Sequence, residues 1–156
     1  MLTIVLLLFA ALVFYTDLKY QSIPNRLTIP AFAAGWAFSL LSGNGIACAV
    51  GASIGFFILF VPYLLGWVGG GDIKMLAALG ALMGPEPFVP AFVVGVWIAG
   101  AFSFLVLLRR RAFGAMVAHM LRLPQGERYR PIAQAIPFGS CMSLSVFIFF
   151  VFGQVG

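Results

Sequence analysis

Long apolar runs follow one another along this chain, and nearly all of its charges fall in the gaps between them. A helix needs about 20 mostly apolar residues to cross ~30 Å of hydrocarbon. Of the 156 residues, 63% are hydrophobic and 8% charged, where a soluble domain carries about 25% charged residues. The pattern predicts an all-α, polytopic membrane protein with about six transmembrane helices. It is read as a single membrane-embedded domain over residues 1–156, with the lipid bilayer as its surroundings. The spans consume nearly the whole chain and leave no room for a soluble catalytic domain. The net charge of +5 reports topology before any partner, and with no soluble basic face a nucleic-acid partner is not expected. The N-terminal run lacks a basic region and a small-residue cleavage site, so it reads as a retained span. Cys48 and Cys141 lie in apolar runs with no C-x-x-C pair. They read as small packing residues, and neither a metal nor a cofactor is expected.

The spans are expected at about Leu2–Thr16, Leu27–Leu41, Ile46–Val68, Ile73–Gly84, Phe88–Leu108 and Ile136–Phe152. Asp17 to Arg26 reads as a polar loop punctuated by Pro24-Asn25. Gly51-x-x-x-Gly55 allows close helix packing, Pro62 is expected to kink the third span, and Pro85-Glu86-Pro87 reads as a turn. Phe113, Met116, Val117, Met120 and Leu121 recur at amphipathic spacing, with His119 and Arg122 opposite, which predicts an interfacial helix. Placing the first loop in the cytoplasm puts Lys19, Arg26, Lys74, Arg109 to Arg111, Arg122, Arg128 and Arg130 all inside, as the positive-inside rule requires. Both termini are then outside.

Within this frame one stretch stands out, Gly69-Gly70-Gly71-Asp72-Ile73-Lys74. A charge beside a span is expensive and is by default a functional-site hypothesis. Three successive glycines are expected to break the helix and to let another backbone approach. The chain has one other aspartate, Asp17, which also ends an apolar run. The span count puts both at cytoplasmic ends and at similar depth. Two carboxylates close together in a low-dielectric site cannot both ionise easily, which gives an acid and a base in one place. Such a pair can polarise a water and a peptide carbonyl together.

Blander readings stand beside this one. Asp72 as the N-cap of the fourth span would meet unpaired N–H groups and the positive dipole end. Asp17 sits where the dipole disfavours it, and Lys19 is a candidate ion-pair partner. Lys74 either tunes Asp72 or meets lipid phosphate. His119 reads as a solvated side chain. The arginine run reads as a topology anchor, with anionic lipid or an acidic substrate part as the sharper alternative.

Gly69-Gly70-Gly71-Asp72 resembles the Gly-x-Gly-Asp motif of intramembrane aspartyl proteases. Asp17-Leu18-Lys19 with Ile23-Pro24-Asn25-Arg26 resembles the first aspartate loop of the type IV prepilin peptidases, and Pro137-Phe138-Gly139 resembles the signature that opens their last span. The resemblance covers essentially the whole chain. It implies the Gly-x-Gly-Asp protease fold in the inner (cytoplasmic) membrane. It also implies metal-free removal of leaders from prepilins or pseudopilins at the cytoplasmic face, normally after a Gly. By the same resemblance Asp17 and Asp72 are the catalytic dyad, with Gly69, Gly70, Gly71, Lys74, Lys19 and Asn25 in the loops that meet substrate. Bifunctional members add a region with paired cysteines and N-methylate the product. This chain shows no such pair, so methylation is not expected. Its size is closer to the minimal TadV/CpaA-type members that serve tight-adherence (Flp-type) pili. An archaeal preflagellin peptidase is a related variant. Two other classes compete: a small ion or proton transporter, which predicts a continuous polar path, and a noncatalytic assembly subunit, which predicts dispensable aspartates.

Overall fold

The computed structural model describes residues 2–20, 22–66, 68–110 and 138–153. Six helices account for nearly all of them: α1 (Leu2–Tyr20), α2 (Asn25–Leu41), α3 (Gly45–Leu64), α4 (Gly70–Met83), α5 (Pro85–Arg110) and α6 (Phe138–Gly153). The chain is an all-helical membrane protein. α1, α3 and residues 85–106 of α5 are each long and apolar enough to cross a membrane. α2, α4 and α6 are shorter, at 17, 14 and 16 residues. The expected interfacial helix, with His119 and Arg122, lies outside the described residues, as do Arg111, Arg128, Arg130 and Pro137.

α4 is the hub of the bundle. Met75, Leu76 and Ala78 are fully buried, and every residue from Met75 to Leu82 is buried. A helix that is apolar all round belongs in a core, and α2, α3, α5, α1 and α6 all touch it. The outer surface is apolar too. Leu41 and Ile46 are 87% and 83% exposed, which suits a lipid surround and no aqueous one.

Small residues set the closest packing. A Cβ at Gly51 would fall on the Gly80 carbonyl oxygen, and one at Gly55 on the Leu76 carbonyl oxygen. The Gly51-x-x-x-Gly55 spacing thus seats α3 directly on the α4 backbone, the contact expected where van der Waals packing drives helix association in lipid. α2 follows the same rule, since a Cβ at Gly35 would lie 3.1 Å from the Ala81 carbonyl carbon. Cys48 and Cys141 are free and buried, as small packing residues should be.

Three boundaries differ from expectation, each for a local reason. Asp17 to Tyr20 is the last turn of α1 and not loop. Leu18 and Lys19 are good helix formers, and the true break is Ser22–Pro24, where proline disfavours helix for the residue before it. The glycine triplet does not break the helix either. The turn lies at Leu65–Gly66, with Gly66 at φ 74°. Gly69 caps α4, and Gly70 and Gly71 form its first turn, where amides have no helical partner in any case. Asp72 is therefore the third residue of α4 and not its N-cap. Pro85 to Pro87 opens α5 and is not a turn. Proline suits a first helical turn, and the reversal is made at Gly84 with φ 75°.

Candidate active site

α1 and α3 end, and α2, α4 and α6 begin, at the same end of the bundle, and both aspartates are there. Asp17 is in the last turn of α1 and is buried. At a helix C-terminus a carboxylate faces the negative dipole end, so it needs donors from elsewhere. They come from the start of α6. Asp17 Oδ2 accepts the Ser140 backbone N–H at 2.6 Å and the Ser140 hydroxyl at 3.0 Å. Ser140 is the third residue of α6, so its N–H is among those a helix leaves without an internal partner. The unfavourable end of one helix is answered by the favourable end of another.

Lys19 does not pair with Asp17. Its ammonium donates to the Tyr15 hydroxyl at 3.2 Å and lies over the Tyr15 and Tyr20 rings, on the exposed side of α1. The reading of Asp17 and Lys19 as a structural ion pair is replaced by the contact with Ser140.

Asp72 is half-buried in the first turn of α4. Its backbone N–H donates to the Gly69 carbonyl at 3.1 Å, and its Oδ2 folds back over Gly69. Lys74 is exposed and donates to Asn25 Oδ1 at 3.0 Å, which ties the start of α4 to the start of α2. A net gain of about 0.5–1.5 kcal/mol is usual for such a bond, less when exposed. Lys74→Met is therefore expected to lower unfolding stability by under ~1 kcal/mol in a detergent titration.

Ile23 joins the two aspartates. It is buried in the connection between α1 and α2. A Cβ at Gly71 would lie 3.2 Å from the Ile23 carbonyl oxygen. One at Gly139 would lie 2.9 Å from Ile23 Cδ1 and 3.1 Å from Asp17 Cγ and Oδ2. Ile23 thus touches the residue before Asp72 on one side and the floor beneath Asp17 on the other. The backbone just before Asp72 and the Asp17 carboxylate thus meet Ile23 from two sides. The triplet's role is clearest at Gly71, where a side chain would push against Ile23. Tyr63, near the end of α3, lies over Gly70, its ring 3.6 Å from where a Cβ would be. Gly139→Ala is expected to displace Asp17 by a few tenths of an ångström. A shift of the Asp17 carboxyl stretching band by infrared spectroscopy, at near-normal protein level, checks it.

Of the residues singled out in the sequence, Asp17, Asp72, Gly71, Lys74 and Asn25 gather at this end, while Lys19 turns away. Ser140 is the addition, and Ile23, read in the sequence only as part of the loop motif, packs between them.

Comparison with known proteins decides the family. Residues 4–118 match the model of the type IV leader peptidase family. The chain belongs to that family. The prepilin leader peptidase/N-methyltransferase of Bacillus subtilis (strain 168) is 37% identical over 134 residues, covering 82% of this chain and 48% of the relative. The protein of the same name from Aeromonas salmonicida (strain A449) is 34% identical over 106 residues, covering 61% and 36%. That from Xanthomonas campestris pv. campestris is 28% identical over 147 residues, covering 88% and 45%. The chain thus spans about half or less of the length of these leader peptidases. No solved structure matches it. The leader-peptidase match includes both aspartates and stops short of α6, which carries Ser140.

Proposed function

We propose that this chain is a membrane aspartyl endopeptidase that removes the leader from type IV prepilins or pseudopilins, most specifically those of Flp-type pili. The observation that carries the reading is the meeting of α1, α4 and α6 around Ile23 at one end of the bundle, the end that holds both Asp17 and Asp72, in a member of the leader peptidase family. One carboxylate takes a proton from the attacking water. The other, protonated, donates to the scissile carbonyl oxygen as the C–O bond forms. Collapse of the tetrahedral adduct breaks the C–N bond, and the leaving amine takes a proton from the site. The acid and base roles are assigned to the pair and not to either aspartate alone.

Lys19, Arg26, Lys74, Arg109 and Arg110 favour the cytoplasmic face for this end, with both termini outside. That orientation fits a substrate with a cytoplasmic leader, and the resemblance to the prepilin peptidases supports the inner membrane as the location. The half-buried position of Asp72 gives a chain segment at the membrane surface a way in. An ion carrier would be expected to have further charge along its core helix, and α4 carries none from Met75 to Met83. The two carboxylates supply what hydrolysis requires, so the reading covers leader removal and not methylation.

Co-expression with a Flp-type prepilin tests it. The expected result is a pilin shortened by its leader, with an unmethylated N-terminus by mass. A prepilin left whole beside well-expressed wild-type chain overturns the reading.

A further inference from the structure

We infer that Ser140 is a positioning residue for Asp17, one that commits Oδ2 and thereby leaves the other carboxylate oxygen to the reaction; this rests on the peptidase reading. Two donors of one residue converge on a single oxygen, the N–H at 2.6 Å and the hydroxyl at 3.0 Å. Charge-assisted bonds of this kind are shorter and about twice as strong as neutral ones. Converging on one atom, they fix the carboxylate's position and also its rotation. An oxygen that already accepts two hydrogen bonds is a poor acceptor for a water proton, so the working oxygen is Oδ1.

The other serines of α6 show that this is not ordinary helix behaviour. Ser143 and Ser145 turn their hydroxyls back to carbonyls of their own helix, Gly139 at 2.8 Å and Met142 at 2.7 Å. Ser140 has a comparable alternative in the Phe14 carbonyl at 3.4 Å, but a hydroxyl has one proton and Asp17 is the nearer acceptor. The approach depends on its neighbour as well. Gly139 has no side chain to hold the carboxylate off. Both Ser140 and Asp17 are almost fully buried, at 4% and 6% exposure, so water does not replace the bond freely.

Ser140→Ala removes the hydroxyl and keeps the backbone N–H bond, so the α1–α6 contact survives. Ser140→Thr restores the donor. The full chain would be purified in detergent, and the carboxyl stretching band that Asp17→Asn abolishes would be followed by infrared spectroscopy. The expected result is a shift of that band in Ser140→Ala and its return in Ser140→Thr. On prepilin, Ser140→Ala should lower kcat about 10- to 100-fold with little change in KM, as loss of orientation does, and Thr should recover most of it. An unshifted band, an equal defect in Ala and Thr, or a loss confined to KM overturns the inference. The infrared result does not depend on the substrate. Failure of wild type to cleave would therefore remove the peptidase reading while the band still decides whether Ser140 holds Asp17.

Discussion

Asp72→Asn will leave the chain folded in the membrane and stop leader removal. The substitution keeps the size and shape of the side chain. Asparagine is tolerated in a first helical turn beside a cap, and Asp72 is only half-buried there, so α4 has no reason to move. What is lost is the exchangeable proton. General acid–base catalysis is worth about 10²–10⁴-fold, and a pair that works as a unit loses most of its effect with either member. Asp17→Asn should be equally inactive but less clean. Its amide can still accept from Ser140 through oxygen, yet the bonds are no longer charge-assisted, and hydrogen bonds to a charged group are worth about 1.5–3 kcal/mol. A modest fall in stability is therefore expected for Asp17→Asn and not for Asp72→Asn. The double variant should be no worse in activity than either single one. Prepilin processing at matched protein level, with detergent unfolding alongside, checks all three statements. Cleavage that survives either substitution would remove the aspartyl mechanism.

The helices and the two aspartates were legible because the membrane makes them so. Apolar runs leave few places for charge, and an acidic residue at the end of a run stands out against such a background. The family resemblance rested on the same few polar positions, and the match over residues 4–118 bears it out. The boundaries were less legible. Asp17 to Tyr20, Gly69 to Gly71 and Pro85 to Pro87 each look like interruptions by composition. Each is in fact a helix end, where unpaired backbone groups make polar residues, glycine and proline tolerable. Reading composition as a break moved the end of α1 and the starts of α4 and α5 by a turn.

Ser140 was hidden for a different reason. Its partner is 123 residues away, and nothing in a serine that follows Pro137-Phe138-Gly139 says which carboxylate it will meet. The available signal was indirect. Asp17 at a helix C-terminus is electrostatically wrong by itself, so some donor had to be supplied by another element. The first turn of a helix that starts beside a glycine offers such donors. Lys19 is near Asp17 in sequence, but residues i and i+2 of a helix do not share a face.

The same reasoning from backbone contact makes Gly51→Ala and Gly100→Ala opposite in sign, though both put one methyl group on an apolar helix. Gly100 is exposed on α5, and a Cβ there meets nothing within 4 Å. Alanine is better than glycine in a helix by about 1 kcal/mol, so Gly100→Ala should be neutral or stabilising. At Gly51 the new methyl falls on the Gly80 carbonyl oxygen and 3.0 Å from the Gly84 carbonyl carbon. Neither neighbour is a side chain that can rotate aside. α3 has to lift off α4, and over-packing of this kind costs about 1–3 kcal/mol or more, well beyond the gain in propensity. Since α4 is the hub and carries Asp72, a tilt at Gly51 is transmitted to the site. Gly51→Ala should therefore lose both stability and leader removal, and Gly51→Leu should fail to accumulate. Unfolding midpoints in a detergent–denaturant series, measured with prepilin processing on the same preparations, decide the matter. If both alanine variants were equally stable, the close contact between α3 and α4 would not be what holds this bundle together.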